Sequence, residues 1–135
     1  MRASVEAAQP TDLDRLRRVI LADGLVSGSM AILLIAAAHP LGDWFGLSVA
    51  FVRWTGLLLI PFAISVLLLA TRLSPSRNRV WTLIALNVGW VIASVAVLLS
   101  GWISPSGAGI AFIVAQALLV GLFAGQQYVG LRQVS

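Results

Sequence analysis

The sequence predicts an all-α fold: an antiparallel bundle of four transmembrane helices over about residues 19–38, 48–71, 80–100 and 107–128, with both termini cytoplasmic. Three observations predict it. First, 59% of the 135 residues are apolar and only 10% are charged, where a soluble domain carries roughly a quarter charged residues. Second, the apolar residues fall into four blocks, each long enough to cross a hydrocarbon core about 30 Å thick. Third, arginine is distributed unevenly. In the four-span arrangement the N-terminal segment (Arg2, Arg15, Arg17, Arg18), the middle connection (Arg72, Arg77, Arg79) and the C-terminus (Arg132) lie on one side, and Arg53 alone lies on the other. Positively charged loops stay in the cytoplasm, which gives the orientation and accounts for the basic pI without nucleic acid.

Residues 1–11 are polar and lack a signal peptide's apolar region, so they read as a disordered cytoplasmic tail ahead of a single transmembrane domain, residues 12–132. Pro10-Thr11-Asp12 marks a helix start, with Thr11 or Asp12 as N-cap and two aspartates at the positive end of the dipole. Arg15, Arg17 and Arg18 follow as snorkelling anchors at the headgroup level.

The first span carries Asp23 about one helical turn inside the arginines. An ionisable group there is expensive, and it is expected either to contact a proton or substrate or to pair with an arginine such as Arg18, Arg72 or Arg79. Gly24 and Gly28 form a small-xxx-small pair for close packing inside the bundle. His39-Pro40 should stop the span, because proline lacks the next amide donor. The connection after it, through Trp44 and Phe45, suits the membrane interface. His39 and Asp43 are two groups without a third ligand, and they do not predict a metal site. In the second span Arg53 lies one turn in and Pro61 sits mid-helix, where it removes a backbone bond and should kink the chain.

The third and fourth spans contain amide side chains deep in apolar sequence, Asn87 and Gln116. At 100° per residue Asn87, Trp90, Val91 and Ser94 share one face, and Ala85, Gly89, Ala93 and Ala96 the opposite one. In the fourth span Gln116, Val120, Phe123 and Gln127 form a stripe, while Ala117, Gly121 and Gly125 form a small-residue ridge. A hairpin turning near Ile103-Ser104 puts Gln116 level with Trp90 and within a turn of Asn87. Hydrocarbon offers these groups no water, so Asn87, Gln116 and the Trp90 indole should bond to one another or to a trapped polar ligand. They are either a clasp between spans or, with Asp23 and Ser27, the lining of a small polar cavity. Gln126-Gln127-Tyr128 and Arg132 read as an interfacial finish.

The run Ala85-Leu86-Asn87, then Trp90, Ser94, Ser100-Gly101-Trp102, Ala115-Gln116-Ala117 and Gln127-Tyr128-Val129-Gly130-Leu131-Arg132 resembles a group of small four-span bacterial membrane proteins, usually called uncharacterised. The resemblance implies a multi-pass protein of the bacterial inner membrane and carries no activity.

The absence of cysteine excludes disulfides and thiol chemistry. A single histidine at a membrane edge supplies no haem pair or catalytic triad, and no phosphate-binding glycine loop is present. The sequence therefore predicts no enzyme and no cofactor. Its leading reading is a non-catalytic helix-packing protein, acting as a homo-oligomer or as an accessory to a larger membrane partner. The alternative is a small-molecule or proton-linked carrier built on Asp23, Asn87 and Gln116. Beyond the lipid bilayer the sequence names no partner.

Overall fold

The computed structural model describes residues 10–134 and is all-helical over them. It contains α1 (Pro10–Ala36), α2 (Ala38–Phe45), α3 (Val49–Ala70), α4 (Arg77–Ser100) and α5 (Gly107–Val134). Four of these, α1, α3, α4 and α5, are long and apolar enough to cross a membrane. The tail expected over residues 1–11 lies outside the described residues except for Pro10 and Thr11, which already belong to α1. Thr11 and Asp12 are thus inside the helix rather than capping it, with Asp12 in its first turn.

The short α2 was not expected. Pro40 does not break the helix there, because it occupies the first turn of a new one, where a missing amide costs nothing. The first long helix ends instead at Ala36, and Ala37 (φ −110°, ψ 28°) makes the corner. Gly46 closes α2 in the left-handed region at φ 69°, which an L side chain rarely adopts. Ser48 caps α3 by accepting from the Phe51 amide at 3.0 Å.

The helices meet where small residues let backbones approach. Gly24 faces Leu67, Gly28 faces Ala63, and a Cβ on Gly56 would stand 2.9 Å from the Ala31 carbonyl oxygen. This contact makes α1 and α3 one extensive pair. α4 with α5 is another, and α1 also packs along α5. One end is sealed by Leu16, Ile20, Val66, Leu69, Ala70, Val80, Leu83 and Leu131. Near the other end, α2 ties the bundle together through stacked Phe45 and Phe112, 4.7 Å between ring centroids. There the Phe45 carbonyl also accepts from the Ser106 amide at 2.8 Å, and Gly109 leaves no room for a Cβ against it. α3 and α4 are not in extended contact, and the space between them is a cleft.

The arginine-rich end is also more helical than expected. α5 continues past Tyr128 to Val134, because Gly130 and Leu131 are buried against α1, Gly130 directly beneath Leu16. Pro61 lies within α3 on the wall of the cleft, and Ser65 donates to its carbonyl at 2.8 Å.

Candidate intramembrane site

On α1 Leu16, Ile20, Asp23, Ala31 and Leu34 are buried, and with half-buried Ser27 between them they recur every three or four positions. The helix therefore points one continuous stripe inward, and Asp23 is part of it. It is 2% exposed. The expected arginine pairing does not form. Arg18 lies five residues back, 140° around the helix, and is exposed, with its Nε directed to the Asp14 carbonyl.

Asp23 is held by neutral donors from two other helices. Asn87 Nδ2 on α4 donates to Asp23 Oδ2 at 2.8 Å, and Gln127 Nε2 on α5 donates to the same oxygen at 2.7 Å. Asn87 Nδ2 also donates to Gln127 Oε1 at 3.0 Å, which closes a triangle. Ser27 Oγ donates to Asp23 Oδ1 at 3.3 Å from one turn along α1. Every side-chain contact to the Asp23 carboxyl is a donation into it. The three residues at the corners are 0–2% exposed.

A second node lies further along α4 and α5. Trp90 Nε1 donates to Gln116 Oε1 at 2.8 Å, and Gln116 Nε2 donates to Ser94 Oγ at 2.9 Å and to the Ile113 carbonyl at 2.8 Å. Ser94 in turn donates to the Trp90 carbonyl at 2.8 Å. The Trp90–Gln116 pairing has the depth that the hairpin register gives. Asn87 and Gln116 do not meet: Asn87 turns to Asp23 and Gln127 instead. Among the described residues no buried side-chain nitrogen or oxygen lacks a partner.

The sequence reading set Gln127 at the interfacial end of the fourth span, beside Tyr128 and Arg132, and did not pair it with Asp23. Gln127 is 0% exposed. Its position three turns from Gln116 on one stripe was the available signal, and the nearby arginine obscured it.

The two nodes border a half-open cavity of about 290 Å³. All four long helices line it. Asp23, Ser27, Ser94 and Gln116 provide its polar edge, while Phe45, Phe112 and Phe123 are among its apolar walls. Nothing in it is arranged for metal: among the described residues no three histidine or acidic side chains gather, and His39 and Asp43 are both exposed on α2. Both nodes present hydrogen-bonding groups, Asp23 with Ser27 and Gln116 with Ser94, at the edge of this space.

The chain matches no family model, no curated protein and no solved structure.

Proposed function

We propose that this chain is a non-catalytic multi-pass protein of the bacterial inner membrane that holds a small lipophilic compound inside its bundle. In this reading the spans alternate in direction and both termini are cytoplasmic, a topology supported by the eight-to-one split of arginines. The observation that carries the binding reading is the cavity of about 290 Å³ between all four long helices. Small-molecule sites are mostly apolar, of roughly 300–1,000 Å³, with a few placed polar groups. Close-packed interiors otherwise leave few voids larger than a water molecule. Asp23, Ser27, Ser94 and Gln116 are the orienting groups, and Asn87, Trp90 and Gln127 hold them in place.

Native mass spectrometry of the protein, released from its own membrane in mild detergent, tests this reading. A non-lipid mass retained by the wild type and lost in Ala93→Trp, which fills the cavity from its α4 wall, is the expected result. A wild type that carries no such mass, or an Ala93→Trp variant that still carries it, overturns the reading.

A second reading, assembly with a further copy of the chain, is favoured by one observation. The α1 small-residue pair is used up against α3, yet the α4 ridge of Ala85, Gly89, Ala93 and Ala96 is exposed, and a Cβ on Gly89 would meet nothing within 4 Å. Measured mass in nanodiscs distinguishes the readings. A dimer that Gly89→Leu converts to monomer supports assembly, and a wild-type monomer rejects it.

A further inference from the structure

The cleft between α3 and α4 has a different chemistry from the cavity. It has a volume of about 770 Å³ and is walled by apolar side chains such as Leu58, Phe62, Leu69 and Leu86. Arg72, just beyond the end of α3, and Arg79, in the first turn of α4, line the same cleft. Both arginines are exposed, and no acidic side chain lines the cleft to neutralise them.

Its dimensions match one leaflet. From Arg79 to Trp90, the deepest α4 residue on its wall, the helix rises eleven residues, about 16 Å. Half of a hydrocarbon core is about 15 Å. The cleft therefore offers paired guanidinium groups at headgroup level and an apolar groove running to the middle of the bilayer.

We propose that the α3–α4 cleft is a binding site for an anionic glycerophospholipid of the leaflet at the arginine-rich end. Arg72 and Arg79 take the phosphodiester, and one acyl chain lies in the groove beside Pro61 and Leu86. Guanidinium groups bind phosphate oxygens in a fork, and basic pockets between transmembrane helices hold acidic headgroups in the same way. A zwitterionic lipid fills the groove equally well but leaves the excess positive charge unmet, so selectivity comes from the arginines and occupancy from the groove. The cleft adjoins the cavity at Ser27, Leu59, Trp90 and Val120, but Arg72, Arg79 and Leu86 line the cleft and not the cavity.

The test uses the full chain in a neutral detergent, with phosphatidylglycerol, phosphatidylcholine of the same acyl chains, and soluble glycerol phosphate as three probes, and native mass spectrometry as the readout. The wild type should retain one phosphatidylglycerol in preference to phosphatidylcholine. Arg72→Gln with Arg79→Gln should weaken phosphatidylglycerol retention by roughly 30-fold, at about tenfold or less per arginine. Arg53→Gln, one turn into α3 and outside the cleft lining, should leave it unchanged. Leu86→Trp, which obstructs the groove while keeping both arginines, should also weaken it. All the changed side chains are exposed, so the fold is expected to survive. Equal retention of the two lipids, preference that persists without Arg72 and Arg79, indifference to Leu86→Trp, or equal retention of glycerol phosphate would each overturn the proposal.

Discussion

Asn87 and Asp23 lie 64 residues apart in sequence and 2.8 Å apart in space, amide nitrogen to carboxylate oxygen. The bond joins α1 to α4 and fixes the rotation of both, because each residue is 2% exposed and has nowhere else to turn. Gln127 completes the triangle from α5.

Removing a donor from this triangle should cost more than replacing the carboxyl group by an amide. Asn87→Ala leaves Asp23 and Gln127 each short of one partner in a closed interior, and is expected to destabilise the protein by about 2 kcal/mol. Asp23→Asn can present its amide oxygen to both donors and its nitrogen to Ser27, and should cost less than about 1 kcal/mol. Reversible unfolding in mixed micelles, compared between the two variants, gives the order. Equal losses would contradict the donor assignment.

The Trp90–Gln116 pair should act as a separate unit. Trp90→Phe and Gln116→Leu are each expected to cost about 0.6–1.7 kcal/mol, the range for hydrogen bonds between transmembrane helices. The double variant should cost clearly less than the sum, because the Trp90–Gln116 bond is lost in both single variants. Coupling of either change to Asn87→Ala should be much smaller, since no hydrogen bond joins the two nodes. A thermodynamic cycle over the three positions measures this.

Glycines of the same residue type should respond in opposite ways according to what they face. Gly56→Ala drives a methyl group against the Ala31 backbone and should destabilise by about 1–3 kcal/mol. Gly89→Ala meets nothing and replaces the weaker helix former, so the monomer should keep or raise its melting temperature. Thermal melts in one detergent compare the two.

The sequence disclosed the spans well because their signal is long: about twenty mostly apolar residues, with one charge in each of the first two spans and none in the last two, have few alternatives. The hairpin register was legible too, since a short turn at Ile103-Ser104 sets the depth of Trp90 against Gln116. What could not be read was which face of α1 is inward. Asp23 near three arginines suggests an interfacial ion pair if depth alone is considered. The buried series Leu16, Ile20, Asp23, Ala31 and Leu34 puts it on the core side, and that becomes visible only when the period is followed past the arginines. Gln127 was lost for the same reason: closeness to Arg132 suggested exposure, while helix rotation decides it. The corner at Ala37 depends on the packing of α2 against Phe112, a contact 67 residues away that no local pattern announces.

The most direct test of the triangle is solvent exchange of side-chain amides, followed by NMR with the protein in bicelles. Gln126 and Gln127 are neighbours in sequence, but Gln126 is exposed and Gln127 is not. The Gln127 and Asn87 amide protons should exchange slowly and show cross-relaxation with each other, while those of Gln126 exchange fast. Asp23→Ala should release both slow amides. If Gln127 exchanges as fast as Gln126, or Asp23→Ala leaves Asn87 and Gln127 protected, the node that organises this bundle is not the one described.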